Sequence, residues 1–412
     1  MYFKEDTKES SDDYMKTYNV MRLGDIAFDL RLNGKHSKSF NSGKVEGEIA
    51  LFEYNNYKYN NIAIDAWYKD KEYNGSLSLN DSNIVLNLDG MMNLSEKRKE
   101  FALKIKGDSI RVNDINLTKK YAGSVLNFDI DANFKGDRID NADGIVEINN
   151  LSFVNNGNEF KMDGAYIEAN NSNSPQYIAL NSEIIEGNII GDYKFSSLKN
   201  SLLGVLSEVM PSFIKEVFAF ENNNSFEFEF TIPDTENLTK TFELPFMLNN
   251  MSYINGYYND SLGRFSLITD IPAFSMGKIF LGNSNISVEK FGSAVQSGIR
   301  TTHITPKGVG TEWNIETIVQ NDSCNLNIDW GNTKNKKIFS GNFSTTSRFI
   351  SSQDGNIIDM IINPSYFIIS DSIWEISTST VHAQGKNIAI HDFEINHSDQ
   401  FLKIDGDISP DS

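Results

Sequence analysis

Residues 74–90 read NGSLSLNDSNIVLNLDG, and the pattern of this stretch recurs through most of the chain. Apolar side chains alternate with polar ones, at Leu77, Leu79, Ile84, Leu86 and Leu88. Alternation at a period of two places the apolar side chains on one face of a β-strand. The Asn-Asp pair between the two runs suits a tight turn. The stretch therefore predicts a hairpin of two antiparallel strands with one apolar face.

The same alternation recurs on both sides of this hairpin. It returns in GDIAFDLRLNG, NNIAIDAWYKD, EFALKIKGD and SVLNFDIDANF, and later in NSFEFEFTIPD and KTFELPFMLNN. Asn-Gly, Asp-Gly and Gly-Asp pairs between runs favour short turns, which join antiparallel neighbours into a meander. The side chains predicted to line one apolar face are Ile26, Phe28, Leu30, Leu32, Ile62, Ile64, Leu77, Leu79, Ile84, Leu86, Leu88, Phe101, Leu103, Ile105, Leu126, Phe128, Ile130, Phe226, Phe228, Phe230, Phe242, Leu244 and Phe246.

Residues 196–220 break this pattern. They read SSLKNSLLGVLSEVMPSFIKEVFAF, in which apolar residues recur three or four positions apart, as on one face of a helix. We predict an amphipathic helix whose apolar stripe consists of Leu198, Leu202, Leu206, Val209, Phe213 and Val217. Pro211 lies inside the pattern and predicts a kink or a break. The chain then divides into a flexible lead-in (1–19), a first β segment (20–195), the helix (196–220) and a second β segment (221–412).

The predicted helix is too short to cover the apolar faces of so many strands. A sheet of this size must curl, split or close. Three architectures satisfy the pattern: stacked sandwich domains, a closed barrel, or a long curved gutter whose apolar face binds a guest. The apolar positions are mostly Ile, Leu and Phe, with few small residues that would let two sheets interlock. Walls of this kind suit acyl chains.

Composition and motifs argue against several classes of function. With 37 basic and 56 acidic residues the net charge is -19, whereas nucleic-acid binding needs a basic surface. The single cysteine, Cys324, can form no internal disulfide, and its surroundings predict a small strand residue. His391 and His397 are expected on one strand face with Phe393 and Ile395, too far apart for a metal site. No catalytic or phosphate-binding motif occurs, so we expect no enzyme activity, no cofactor and no metal.

The first twenty residues, MYFKEDTKESSDDYMKTYNV, are charged and lack the apolar core of a signal peptide. No run of about 18 apolar residues predicts a membrane-spanning helix. Read as a whole protein the chain would be cytosolic, whereas as a piece of a longer protein it leaves the compartment open.

The hairpins containing NNI-x-I-D, NG-x-L-x-L and L-D-G, the helix SSLKNSLLGVLSEVMPSFI and the following ELPFMLNNMSYINGYYNDSLGRFSLITDIPAFSMGKIFL resemble the interior of TamB-like proteins. These belong to the AsmA-like, bridge-like lipid-transfer superfamily of Gram-negative bacteria, and the likeness extends from about Gly24 onward. It implies a mainly β fold, in which a long, curved and twisted antiparallel sheet forms an open gutter with one amphipathic helical insert. It also implies a periplasm-spanning groove that conducts phospholipid between inner and outer membranes and supports outer-membrane biogenesis.

The same resemblance implies partners and a location. The partners would be phospholipid acyl chains and, through regions absent from this sequence, an outer-membrane barrel of the Omp-85 type. The location would be the periplasm within the cell envelope, with an inner-membrane anchor in the full-length protein. The chain would then be an internal fragment of a TamB-like translocation and assembly module protein.

Two alternatives to a lipid-conducting gutter stay open at this point. An outer-membrane β-barrel would need longer strands with apolar side chains facing outward. A sandwich or solenoid that binds carbohydrate or protein would show aromatic side chains on the polar face, where Trp67 is a candidate, whereas Trp313, Trp330 and Trp374 resemble members of apolar faces. For the helix, we predict that it plugs or covers the gutter between the two β segments, and the alternative is that it caps a sheet end as ordinary core.

Overall fold

The computed structural model describes residues 23–37, 40–95, 98–214, 224–334, 338–352 and 355–409. Strands account for 70% of the described residues and helices for 6%. The strands among these residues all belong to one antiparallel sheet of 26 strands. The predicted fold class, a mainly β protein built on one long antiparallel sheet, is confirmed.

The elements before the middle of the chain are nearly all long hairpin strands. They are β1 (Leu23–Ser37), β2 (Phe40–Tyr54), β3 (Tyr57–Lys69), β4 (Glu72–Asp81), β5 (Ile84–Asn93), β6 (Glu100–Ile110), β7 (Val125–Lys135), β8 (Asp143–Asn155), β9 (Asn158–Asn170), β10 (Gln176–Ser182) and β11 (Glu186–Asp192). A single turn of 3₁₀-helix (Ile139–Asn141) precedes β8, and helix α1 (Phe195–Ser207) follows β11.

The remaining elements follow the same plan with one more short helix. They are β12 (Ser225–Ile232), α2 (Glu236–Phe242), β13 (Met247–Leu248), β14 (Ser252–Asn259), β15 (Arg264–Met276), β16 (Ile279–Phe291), β17 (Ala294–Ile304), β18 (Gly310–Gln320), β19 (Ser323–Asn332), β20 (Phe339–Ser352), β21 (Gly355–Ile362), β22 (Ser365–Ile369), β23 (Ser372–Ile376), β24 (Ser379–Gln384), β25 (Asn387–His397) and β26 (Gln400–Ile408).

Chain order and sheet order nearly coincide, because short turns place each strand beside its predecessor. The pairing runs without interruption from β1 to β12, and β11 pairs with β12 although α1 lies between them in sequence. The two predicted β segments are therefore hydrogen-bonded to each other within one sheet. Within the described residues β1 pairs only with β2 and β26 only with β25, so the sheet is open at both ends.

At three places in the sheet, two consecutive strands lie end to end beside the same neighbouring strand, with a short break between them. Strands β13 and β14 both pair with β15, β21 and β22 both pair with β20, and β23 and β24 both pair with β25. After each break the strand resumes at a buried serine whose hydroxyl donates to the carbonyl oxygen two residues earlier, at Ser252, Ser365 and Ser379. This hydrogen bond satisfies a backbone carbonyl group in the break between the two strands, and the sheet continues beyond it.

Bulges bend the long strands. Asn61, Asn150, Asn283 and Asp392 lie inside strands with φ values of 55, 56, 50 and 56°. Asparagine and aspartate tolerate this left-handed conformation better than other residues with side chains. At Asn150, Asn283 and Asp392 an extra residue shifts the pairing register with one neighbouring strand, and a bulge of this kind curves the strand. The regular alternation seen in the sequence is therefore reset at each bulge.

Helix α1 is shorter than predicted. It ends at Ser207, and residues 208–213 form turns that include Pro211. The helix thus ends before the proline that was expected to kink or break it, because proline lacks the backbone donor and crowds the preceding turn. Residues 215–220, including Val217 of the predicted stripe, lie outside the described residues.

The predicted strand through Phe242, Leu244 and Phe246 is wrong. Phe242 ends helix α2, and Glu243 follows it in the left-handed conformation with φ of 52°. Leu244 and Phe246 lie in the irregular connection before β13. Apolar residues at alternate positions in KTFELPF imitate a strand, but α2 is held as a helix by contacts with distant strands described below.

Among the described residues, no helix has the length and apolar character needed to cross a membrane.

Candidate functional site: the apolar face and its two covers

One face of the sheet carries rows of apolar side chains that pass from strand to strand. Residues paired across an antiparallel ladder point to the same face. One row crosses β1 to β8 through Leu30, Gly47, Ile64, Leu77, Leu88, Ile105, Ile130 and Ile148. We call this face the apolar face and the opposite one the polar face.

A second row continues across the later strands. It crosses β8 to β20 through Val146, Ile167, Leu180, Gly187, Phe230, Ile254, Thr269, Ile286, Ile299, Ile315, Ile328 and Phe343. The predicted lining residues from Ile26 to Phe230 all lie on the apolar face in this register. Their contact with a ligand stays a prediction.

Most of the apolar face is not sealed by protein. Of the predicted lining residues on strands, only Ile62, Leu79 and Ile84 are buried, whereas Phe28 is 64% exposed. The chain of 46.4 kDa exposes 26486 Å², compared with roughly 16,000 Å² for a compact monomer of that mass. The described strands form one layer, so the groove is the space over the apolar face.

The groove contains a defined apolar hollow over β2 to β6. It has a volume of 340 Å³ and is lined by residues that include Val45, Ile64, Tyr68, Tyr73, Leu77 and Leu103. Tyr68 and Tyr73 lie side by side with ring centroids 6.2 Å apart. A hollow of this size accommodates part of an acyl chain or another apolar group.

Glycines on the apolar face are covered by aromatic rings of the neighbouring strand. A Cβ added to Gly256 would lie 2.7 Å from Cζ of Phe228, and one added to Gly341 would lie 2.4 Å from Cζ2 of Trp330. Glycine at these positions lets the ring lie flat over the adjacent backbone. The alternation of Ile, Leu and Phe in the sequence did not reveal these pairs, because each joins residues on different strands.

The second half of the apolar face also carries hydroxyl groups, contrary to the predicted uniform Ile, Leu and Phe surface. The Ser284 and Thr301 hydroxyls lie 2.6 Å apart, and so do those of Ser297 and Thr317. Thr345 is buried on the same face. Pairing satisfies these hydroxyls without water, so they fit into an otherwise apolar surface.

The strand ends on the side of the β11–β12 connection form one rim of the sheet, here called the α1 rim. Helix α1 covers this rim. The Ser201 hydroxyl donates to Asp260 Oδ2 at 2.8 Å and lies 2.5 Å from the Tyr258 hydroxyl. Tyr258 is 6% exposed, and burial raises its pKa to about 12. Burial also raises the pKa of Tyr193, which precedes α1 and donates to Asn171 at 2.7 Å.

The buried stripe of α1 differs from the predicted one. The helix buries Ser201, Gly204 and Val205, whereas Leu202 is 38% exposed. Leu198 and Leu206 are half-buried. Gly204 allows close approach to the sheet and Ser201 supplies the hydrogen bonds, so a polar contact sets the rotation of the helix. Apolar periodicity alone could not indicate it.

Beyond α1 the chain continues along the same rim as far as β20. Lys290 is 1% exposed, and its Nζ donates to Glu208 at 2.8 Å and to the carbonyl oxygens of Gly263 and Gly292. Val209, a member of the predicted stripe, is 1% exposed. The Phe213 ring meets Phe349 of β20 edge-on at 5.1 Å. The plug role predicted for these residues stays a prediction, and the structure places them along the rim.

The strand ends on the opposite side form the second rim, here called the α2 rim. This rim is also covered, and the cover was not predicted from the sequence. The β6–β7 connection, residues 111–124, folds onto the apolar face and buries Val112 and Ile115. It joins the β2–β3 turn through two reciprocal amide–carbonyl hydrogen bonds between Asn55 and Asn116, at 2.7 and 3.2 Å. This connection lies against Ile62, which explains why that side chain is among the few buried ones.

Helix α2 completes this cover over β8 and β9. The Phe242 ring stacks on Phe153 at 4.8 Å, and its carbonyl oxygen accepts the Tyr121 hydroxyl at 3.2 Å. Asn155 is 1% exposed and donates to the Thr241 carbonyl oxygen at 2.9 Å. Phe242 therefore contacts the apolar face from above, as part of a cover, and does not project from a strand of it.

The polar face carries the expected charged side chains and ion pairs, among them Lys104 with Asp131 at 2.8 Å. Trp67 lies on this face and is 43% exposed, which confirms its predicted position. Trp313, Trp330 and Trp374 lie on the apolar face, also as predicted.

The bulge in β25 places two of the histidines on opposite faces of the sheet. The predicted common face of His391 and His397 is wrong, because Asp392 shifts the register between Ile390 and Phe393. Among the described residues no group of three or more His, Cys, Asp or Glu side chains could hold a metal ion. Cys324 lies on the apolar face, and burial raises the pKa of its thiol.

No family model, no curated protein and no solved structure matches this chain.

Proposed function

We propose that the groove binds the acyl chains of phospholipids and conducts them along the sheet. The observation that supports this is the pair of apolar rows, which cross neighbouring strands without a protein layer over most of their length. Exposed apolar surfaces larger than a few hundred Å² mark interaction sites in soluble proteins. An elongated surface of this kind fits an elongated apolar ligand.

The energetics favour such a guest. Burying one methylene group stabilises a complex by about 0.8 kcal/mol, so a whole acyl chain crosses water very slowly without a dry path. Side chains of similar character in successive rows keep the free energy of the tail nearly constant along the groove. The phosphate and glycerol groups stay in water at the rim, which avoids the large cost of burying a charge.

The resemblance noted from the sequence supplies the setting of the proposal. The chain would form a periplasmic section of a TamB-like bridge that carries phospholipid between inner and outer membranes. An inner-membrane anchor and an outer-membrane barrel partner of the Omp-85 type would act through other regions of such a protein. No reacting group is needed in this section, because transfer only requires a continuous path.

The experiment is to purify the full chain without detergent and to identify co-purifying phospholipid by mass spectrometry. A photo-crosslinking amino acid at Phe228 on the apolar face should then give lipid adducts, and the same amino acid at Glu227 on the polar face should give none. Adducts at neither position, or equal adducts at both, would contradict the proposal.

A further inference from the structure

The two covers lie on opposite rims and, except at β8 and β9, over different strands. The β6–β7 connection and α2 cover the α2 rim between β2 and β9, which we call the first region. Residues 195–214 cover the α1 rim between β14 and β20, which we call the second region. The two covers overlap at β8 and β9, where Phe195 donates its backbone N–H to Asp140 at 2.7 Å on the α1 rim.

Burial in the first region falls from the α2 rim to the α1 rim. Ile62 and Leu79, which lie towards the α2 rim, are 8 and 6% exposed. Tyr68 and Tyr73, at the α1-rim ends of the same two strands, are 41 and 40% exposed. The described turn beside them, Asp70–Lys71, is only two residues long. At β3 and β4 the first region is thus open to water on the α1 rim.

Burial in the second region runs in the opposite direction. Tyr258 and Lys290 at the α1 rim are 6 and 1% exposed, under residues 195–214. Met276 and Ile279 at the α2 rim are 45 and 44% exposed, and Ile369 further along that rim is 48% exposed. The second region is thus open to water on the α2 rim.

The open rim of the second region is also basic, although the whole chain has a net charge of -19. The described residues of its three successive turns, β15–β16 (277–278), β17–β18 (305–309) and β19–β20 (333–334 and 338), include lysines and no acidic residue. Lys278, Lys307 and Lys334 are exposed. Lysines on a rim next to an apolar face complement a ligand that has an apolar tail and an anionic head.

We infer that a bound phospholipid holds its head group over the α1 rim in the first region and over the α2 rim in the second region. This inference rests on the proposed function and adds the orientation of the lipid to it. The tail stays on the apolar face throughout, while the phosphate follows the rim that is open. The head group therefore changes sides at β8 to β12, where the cover passes from the α2 rim to the α1 rim.

Two photoreactive phosphatidylethanolamines test this orientation in the full chain, one with a diazirine on the head-group amine and one with a diazirine in the acyl chain. The head-group probe should label Tyr68 and Tyr73 in the first region and Met276, Ile279 and Ile369 in the second. The acyl probe should label apolar-face residues such as Leu103 and Ile328. Mass spectrometry of the peptides locates the adducts.

A charge-reversal variant sharpens the test. Replacing Lys278, Lys307 and Lys334 by glutamate should lower head-group adducts in the second region by roughly fivefold or more and leave those in the first region unchanged. The matched control replaces Lys106 on the polar face, Lys119 on the covered rim and Lys386 at the β24–β25 turn by glutamate, and it should change neither set.

The outcomes separate the inference from the function on which it rests. Acyl-probe adducts on the apolar face together with head-group adducts along one rim only would overturn the inference and leave the proposed function intact. Absence of acyl-probe adducts from the apolar face would overturn both.

Discussion

The two regions of the groove are built from the same hairpins but differ in surface and in cover. In the first region, between β3 and β8, the apolar face carries mainly Ile, Leu, Phe, Tyr, Ala and Gly, and no serine or threonine. In the second region, serine and threonine pairs interrupt the apolar rows. The cover also moves from one rim to the other. Strand alternation therefore defines the sheet, whereas the composition of the apolar face and the position of the cover differ between the two regions.

The largest expected difference concerns the cover of the first region. Phe153→Ala removes a ring that is 3% exposed and stacks on Phe242, so the free energy of unfolding should fall by about 3–5 kcal/mol. Urea denaturation measures the change. Phe28→Ala, at a ring that is 64% exposed, is the matched control and should change it by no more than about 0.5 kcal/mol. Similar losses in both variants would show that the α2 cover adds little to stability.

A pH effect is expected at the cover of the second region. The pKa of Tyr258 is about 12 in the folded chain, whereas an unfolded tyrosine titrates near its ordinary value of about 10. Between these values the unfolded chain loses the proton first, so stability is fully present below pH ~10 and falls as the pH rises towards ~12.

Urea midpoints at pH ~9 and ~11 measure this effect. In Tyr258→Phe the decrease between the two pH values should be smaller than in the wild type. Tyr68→Phe, at an exposed ring in the first region, controls for loss of a hydroxyl. An unchanged decrease in Tyr258→Phe would contradict the assignment of this titration to the α1 contact.

The smallest expected effect tests the hydroxyl pairs. Replacing Ser297 by Ala and Thr317 by Val removes both partners of one pair, so stability should change by less than about 1 kcal/mol. The more apolar surface should hold acyl chains more closely. An environment-sensitive dye on Cys324, which lies one row away, should then show a larger blue shift on lipid addition. Ser287→Ala with Thr380→Val, on the polar face, should leave the shift unchanged.

The sequence predicted the sheet because the alternation of apolar and polar residues, and the turn residues between strands, depend only on neighbouring positions in the chain. It predicted the common face of Leu77 and Leu88 correctly, since both lie on strands without a bulge. It failed where one residue resets the register, as Asp392 does between His391 and His397. No local rule distinguishes a left-handed asparagine or aspartate inside a strand from one on its polar face.

The covers were harder to predict, because their conformation depends on residues far away in sequence. Phe242 belongs to a helix since Phe153, Asn155 and Tyr121 hold it there, 87 to 121 residues earlier in the chain. Periodicity did indicate a helix near residue 200, but Ser201 and Gly204 determined which side of it meets the sheet. Contacts of this kind require the assembled sheet.

The near identity of chain order and sheet order has an evolutionary consequence. Because each strand is hydrogen-bonded only to its neighbours, one inserted hairpin would displace later strands sideways by about 10 Å without altering their own ladders. Gene segments encoding two strands could then be duplicated or lost with little penalty to folding. The length of the sheet would then change in steps of one hairpin.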